Sequence, residues 1–181
     1  MKNIFPFFTA VIFISLLFVA CGPTSEDAAK YNDALVAQEA KVLNAEMVLT
    51  TALIKNQPAA VIDTAYNKLT KQLKLSTDSV KNAASFGGAS TLKDALLELF
   101  ATYNTVTTTD YPEIIKLNKI NDTVATLAED FDKKIKITDR IDSVLNGAVD
   151  KFEKVHWDFA KKYRLDFTEK DQAPAEEKKK Q

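Results

Sequence analysis

The sequence predicts an all-α protein, an antiparallel up-down bundle of four long helices. Helix-breaking residues are scarce after residue 25, and up to residue 170 they are Pro58, Gly87, Gly88, Pro112 and Gly147. Such sparse punctuation implies long uninterrupted elements. The intervals are rich in Ala, Leu, Lys, Glu and Asp, a composition that favours helix. Apolar residues recur at alternating steps of three and four, which is the spacing of helices packed at small crossing angles in a bundle.

The first 20 residues have the features of a secretory signal. Lys2 is their one charged residue, and an apolar run from Ile4 to Ala20 follows it. A basic start, an apolar middle and small residues at the end are typical of a cleaved leader. A membrane-spanning helix is the competing interpretation, since a span needs about 20 apolar residues. The run here is slightly shorter, and Pro6 interrupts its start.

Cys21 is the one cysteine of the chain, and it lies where the apolar run ends, in Phe18-Val19-Ala20-Cys21-Gly22. This segment resembles the lipobox of bacterial lipoproteins, in which the cysteine is acylated and becomes the first residue of the mature chain. A free buried cysteine is the alternative. Since two or more acyl chains anchor a protein stably, the sequence predicts a lipid anchor at Cys21 and a short tether over residues 21–25.

The first predicted helix begins at Ser25, a capping residue with acidic residues directly after it. Pro58 is suited to open the second helix, because its missing N–H would have no partner in the first turn. Gly87 and Gly88 allow the left-handed conformation that ends a helix. Ser90 or Thr91 would then cap the third helix.

Pro112 follows the β-branched run "TVTTTD", which has low helix propensity. Either the proline kinks the third helix, or Asp110 caps a new one. The sequence favours a third helix that is kinked near Pro112 and reaches about Leu117.

The fourth helix is predicted from Asn121 or Asp122 to about Leu165. Its length, about 68 Å against about 45 Å for the first, predicts an overhang or a bend, with bend points at Thr138-Asp139 and Asn146-Gly147. The predicted organisation is a signal peptide over 1–20, the lipidated tether over 21–25, the bundle over 26–167 and a disordered tail over 168–181. That tail lacks large apolar side chains.

The sequence indicates no enzyme, cofactor or metal site. Glu153 and His156 form an E-x-x-H, a spacing used in di-iron bundles, but such a site needs two of these motifs. His156 is the one histidine in the chain, so it is predicted to flank the helix seam. No nucleophile signature surrounds it, and Gly87-Gly88 lacks the lysine of a phosphate loop. Without Lys2 the chain has 23 basic and 25 acidic residues, so nucleic acid is not an expected partner.

Two further features suggest binding. Trp157 and Lys161, near the end of the fourth helix, have the spacing of a cation–π pair and suit the lipid headgroup region. Gln38 and Ser76 are polar residues at seam positions. They either set the register of the bundle or leave room for a small ligand.

The phrases "YNDALVAQEAKV", "TLKDALLELFATY", "DYPEIIKL" and "WDFAKKYRL", in this order, resemble the ErpY-like surface lipoproteins of spirochaetes and Bacteroidota. The resemblance covers roughly Tyr31 to Leu165, and Pro112 departs from the family pattern. It implies an outer-membrane lipoprotein, periplasmic or surface-exposed, with no assigned enzymatic activity. Gly22 after the cysteine fits lipoproteins that are sent to an outer membrane.

We therefore expect a membrane-anchored, non-enzymatic lipoprotein that serves as a structural or protein-binding module at the cell envelope. The expected partners are the membrane, through lipid on Cys21, and a protein that the sequence does not identify. The alternative is a periplasmic carrier or chaperone bundle that holds a small or apolar ligand. A filled core would favour the first function, and an apolar cavity between the helices would favour the second.

Overall fold

A computed structural model describes residues 23–119 and 127–165. Within them lie four α-helices: α1 (Ser25–Ile54), α2 (Ala59–Asn82), α3 (Thr91–Lys119) and α4 (Leu127–Tyr163). The predicted all-α bundle of four long helices is confirmed. The predicted signal peptide, Cys21, the start of the fourth helix near Asn121 or Asp122 and the tail over 168–181 lie outside the described residues.

The helices pack in sequence order. α1 lies along α2, α2 along α3 and α3 along α4, and a lighter contact joins α1 to α3 across the bundle. The predicted seams form the core: Leu35, Val42, Leu49, Ile62, Leu69, Leu73, Leu96, Leu99, Ile141, Leu145 and Phe152 are all buried. The spacing of three and four residues therefore predicted the buried face of each helix correctly.

Helix α1 begins at Ser25, and its N-cap is Thr24 rather than the predicted Ser25. The Thr24 hydroxyl accepts a hydrogen bond from the Asp27 N–H at 3.1 Å. The Asp27 carboxylate accepts one in return from the Thr24 N–H at 3.3 Å. This reciprocal pair is a capping box, which satisfies two N–H groups that the first turn leaves without partners.

The connection between α2 and α3 differs from the prediction. α2 ends at Asn82, before the two glycines, and the Lys93 ammonium caps it by donating to the carbonyls of Lys81 and Ala83. Gly87 (φ 59°) and Gly88 (φ 75°) instead form a tight turn. Positive φ at both central positions is the geometry of a two-residue hairpin, which glycine adopts without strain.

Helix α3 runs through Pro112 to Lys119, so its predicted extent is correct and Asp110 does not start a new helix. The threonines before the proline bond back to their own helix. For example, the Thr108 and Thr109 hydroxyls donate to the carbonyls of Asn104 and Thr105, both at 2.8 Å. These bonds are one way in which β-branched polar residues are accommodated in helices. The predicted kink near Pro112 stays a prediction.

Two side-chain contacts made just before Pro112 tie α3 to α2 and to α4. The Tyr66 hydroxyl of α2 donates to the Thr107 carbonyl at 3.0 Å. The Arg140 guanidinium of α4 donates from Nε to Asp110 Oδ1 at 2.6 Å, and its Nη2 also contacts that carboxylate. Because Asp110 is buried, its carboxylate needs this partner, and the ion pair sets the register of α4 along α3.

Helix α4 is unbroken from Leu127 to Tyr163, including at the predicted bend points around Thr138 and Gly147. Its 37 residues correspond to about 55 Å, against about 45 Å for α1. The fourth helix is thus the longest, as predicted.

Candidate functional site

Pro23, two residues after Cys21 in the sequence, lies at the end of the bundle where the start of α1, the α2–α3 turn and the end of α4 meet. Aromatic rings close this end: Tyr31 of α1 stacks on Phe86 of the α2–α3 turn with centroids 5.2 Å apart. Tyr163 of α4 meets Phe86 edge-on at 5.1 Å, and Phe159 contacts all three rings. We call these four residues the proximal aromatic cluster.

The proximal aromatic cluster packs tightly around Gly87. A Cβ at Gly87 would lie 3.2 Å from Pro23 Cγ and 3.2 Å from the Tyr163 hydroxyl. The residue nearest the predicted anchor is therefore seated against the turn and against the end of α4. A cation–π contact in this segment joins Lys162 to Tyr163 at 5.1 Å. The predicted pair of Trp157 and Lys161 stays a prediction.

A second site lies in the interior, where α1 places a carboxylate between two buried tyrosines of α3. The Tyr111 hydroxyl donates to Glu46 Oε1 at 2.7 Å, and the Tyr103 hydroxyl donates to Glu46 Oε2 at 3.2 Å. Burial raises the pKa of Glu46, and the two tyrosine hydrogen bonds oppose that shift. Burial and the adjacent Glu46 carboxylate raise the pKa of both tyrosines, so they remain protonated donors.

Carboxylates of α1 and α4 crowd the same region. Burial, and to a lesser extent the Glu153 carboxylate of α4, raises the pKa of Glu39 to about 7. Asp142 of α4 likewise raises the pKa of Glu46. In each case the neighbouring negative charge disfavours the ionised form of the glutamate. We call Glu39, Glu46, Asp142 and Glu153 the acidic cluster.

In this region Tyr103 and Tyr111 supply proton donors and the acidic cluster supplies carboxylates. The raised pKa values of the two tyrosines keep them protonated, so they act as hydrogen-bond donors. The carboxylates of α1 lie near carboxylates of α4 rather than near basic side chains of α4. Within the described residues, 23–119 and 127–165, no group of three or more His, Cys, Asp or Glu side chains is placed to hold a metal ion.

His156 joins α4 to α1, as expected of a residue that flanks the seam. Its Nε2 lies 2.7 Å from Asn32 Oδ1, and its ring stacks on Phe152 with centroids 5.6 Å apart. The buried Asn32 thus gains a partner across the bundle. The contact gives the histidine an interhelical structural role.

Gln38 and Ser76 also meet, across α1 and α2. The Ser76 hydroxyl lies 3.2 Å from the Gln38 carbonyl oxygen and 3.3 Å from its side-chain oxygen. Gln72 donates to the same hydroxyl at 2.9 Å. Ser76 is fully buried, and this network joins α1 to α2, as a register-setting polar residue would.

The described residues form open surface grooves, two of which lie between neighbouring helices. One, of about 570 Å³, runs between the end of α1 and the start of α2 and includes Val48, Ala52 and Val61. The other, of about 620 Å³, lies between α3 and α4 and includes Leu99, Val144 and Phe152. Both open to solvent, while Tyr103, Tyr111, Phe100 and Phe152 fill the interior.

None of the helices in the described part of the chain is long and apolar enough to cross a membrane. Comparison with known protein families, curated proteins and solved structures gives no significant match. The resemblance to the ErpY-like lipoproteins therefore stays a prediction.

Sequence reasoning singled out His156, Gln38 and Ser76 but missed the acidic cluster, while Cys21 lies outside the described residues. The available signal was spacing. Glu39 and Glu46 each follow a core residue by four positions and lie seven residues apart, next to the seam rather than on the outer face. An acid repeated at such a position faces a neighbouring helix.

Proposed function

We propose that the protein is a lipid-anchored, non-enzymatic binding module of the bacterial cell envelope. In this proposal the leader over residues 1–20 is removed and Cys21 carries the acyl chains. The mature chain then belongs to an outer membrane, on its periplasmic or its external side. The helical domain, which we infer to be an up-down bundle, presents its surfaces to another protein.

The observation that supports this proposal is the short stretch of sequence between Cys21 and the first helix of the folded domain. Helix α1 begins at Ser25, and Pro23 packs near the Gly87 turn and Tyr163. Residues 21–24 can span at most about 14 Å. An acyl group on Cys21 would therefore hold the proximal aromatic cluster close to the bilayer and leave the opposite end free.

Three acyl chains would hold the protein on the membrane permanently, because each buried methylene contributes about 0.8 kcal/mol. The interior supports a binding role in a second way. Its polar groups pair across helices, as in the bond between His156 and Asn32, which stabilises a defined surface.

The test replaces Cys21 with Ser in the full chain expressed in a Gram-negative host. We expect the protein to move from the membrane to the soluble fraction, or to accumulate with its leader uncleaved and unacylated. The control variant Ser25→Ala leaves the thiol in place and should stay acylated and membrane-bound. A Cys21→Ser protein with the same acylated mass and distribution as the parent would contradict the proposal.

A further inference from the structure

The helices α1 and α4 meet differently from the other neighbouring pairs. Their backbones pack less closely over the described residues than those of α1 with α2 or of α3 with α4. Near the proximal end, large side chains bridge them, in the contacts of Tyr31 with Phe159 and of Asn32 with His156. The junction lacks comparable side-chain bridges among the described residues toward the opposite end.

The register of this junction follows from its contacts. Asn32 of α1 contacts His156 of α4, and the Glu46 carboxylate of α1 is near Asp142 of α4. The two α1 residues are fourteen positions apart, and so are the two α4 residues, in the opposite order along the chain. The two helices therefore run antiparallel here. Eight residues further along α1, Ile54 lies close to the level of Ile135 of α4.

Exposed apolar side chains border this open half on both sides. On α1, Leu43 lies one turn after Glu39, Met47 one turn later, and Ile54 two turns after Met47. Met47 is 59% and Ile54 81% exposed. On α4, Phe131 and Ile135 lie on the same side as Asp142, at spacings of four and seven residues, and Phe131 is 62% exposed. Large apolar side chains that are exposed along the border of one junction indicate a contact surface.

The charges around this junction have one sign. Its α4 side carries the exposed carboxylates of Asp139, Asp142 and Glu153. Its α1 side carries the half-buried carboxylate of Glu39, while that of Glu46 is engaged by the two tyrosines of α3. With about 3.6 residues per turn, most basic residues of α1 and α4 fall on other sides of their helices than the side that faces this junction. Arg140, for example, pairs with Asp110 of α3, and Lys55 borders the groove toward α2. Lys134 is the basic residue nearest the junction.

These charges decide the kind of occupant. A second copy of the chain would bring acids against acids, which costs affinity. An anionic membrane surface would be repelled for the same reason. A basic amphipathic helix offers both features that the surface requires, an apolar stripe for the exposed side chains and cations for the acids.

We propose that the open half of the α1–α4 junction, bordered by Met47, Ile54, Phe131 and Ile135, docks a cationic amphipathic helix of a partner protein. We call it the docking face. The inference rests on the proposed function, since it names a partner chemistry for the binding module. The face lies away from the proximal aromatic cluster and therefore away from the predicted anchor.

The test measures binding of a synthetic 18-residue amphipathic helix of leucine and lysine to the full chain, purified in a nonionic detergent. Fluorescence anisotropy of the labelled peptide is read against detergent alone. A peptide with glutamate in place of lysine, and one with the same composition but no apolar face, are the matched probes. We expect the first peptide to bind at least tenfold more tightly than either, and its binding to weaken as salt rises from 50 to 300 mM.

Two sets of variants locate the binding. Replacing Met47, Ile54 and Phe131 together with serine should weaken binding at least tenfold, whereas Leu75→Ser, which changes a comparably exposed residue of α2, should not change it. Asp142→Asn with Glu153→Gln should reduce the salt dependence. Circular dichroism checks that each variant keeps its helicity. Since these substitutions replace exposed side chains, we expect all of them to fold.

Several outcomes would overturn the inference. One is equal binding of the glutamate peptide, and another is unchanged binding by the triple variant. Sedimentation that shows a dimer dissolved by the triple variant would identify a second copy as the occupant, and vesicle binding lost in that variant would identify a lipid surface. The Cys21→Ser chain should bind the peptide like the parent. A failure of anchoring is therefore distinguishable from a failure of the docking face.

Discussion

The most informative single substitution is Glu39→Gln, which removes a titratable group from the α1–α4 junction and keeps its size. In the folded protein, burial and the nearby Glu153 carboxylate raise the pKa of Glu39 from 4.5 to about 7. In the unfolded chain the group should titrate near 4.5. The folded state therefore binds more protons than the unfolded state between these two values, and its stability falls as pH rises through that window.

The magnitude follows from the size of the shift. A shift of about 2.5 units at about 1.36 kcal/mol per unit gives at most about 3.4 kcal/mol of destabilisation once pH exceeds 7. Glu39 is half-buried, so solvent reduces this value, and we expect about 1–2 kcal/mol. Because the glutamine side chain carries no charge at any pH, the variant should be more stable than the parent at pH 8 and nearly equal to it at pH 4.5.

Urea unfolding of both proteins at pH 4.5, 6 and 8, followed by circular dichroism, measures the difference. Glu98→Gln is the matched control, since it neutralises an exposed carboxylate of α3 and should leave the free energy of unfolding almost unchanged. A stability gain from Glu39→Gln that is the same at all three pH values would refute the argument. A loss of stability at pH 8 would refute it as well.

Two further substitutions test the interior and the α2–α3 turn. Tyr111→Phe removes the 2.7 Å hydrogen bond to the Glu46 carboxylate and should lower the free energy of unfolding by about 2 kcal/mol. Tyr103→Phe removes the longer bond, of 3.2 Å, and should lower it by less. Equal losses in urea titrations would contradict this difference in geometry. Gly87→Ala should cost about 2 kcal/mol, because its φ of 59° is left-handed and its Cβ meets tight contacts, whereas Gly88→Ala, with open space around it, should cost about 1 kcal/mol. Thermal melts that rank these two variants in the opposite order would show that the turn is free to rearrange.

Much of the fold could be predicted because the spacing of apolar residues in a long helix determines which of its faces is buried. Val42, Leu69 and Leu145 were identified by their periodic positions alone, and all are buried. The ends of the helices were predicted less accurately than their buried faces, with errors of one residue or more. Thr24 and Ser25 are both good capping residues, and the choice between them depends on which one the Asp27 carboxylate can reach.

The candidate site was harder to predict because its chemistry depends on which helices approach one another. Glu46 looks like a solvated acid in the sequence, and only the position of α3 brings the two tyrosine hydroxyls to it. The role of Gly87 depends on tertiary contacts in the same way. A glycine pair after a helix suggests a helix end, but here Lys93 supplies the cap and the glycines form the turn.

The proposed membrane anchor depends most directly on the chemical state of the amino end of the mature protein. Mass spectrometry of the full chain recovered from membranes of a Gram-negative host would measure it. We predict an amino-terminal peptide that begins at Cys21 and carries the mass of a diacylglyceryl group and a further acyl chain. A peptide that begins at Met1, or one with an unmodified Cys21, would contradict the account.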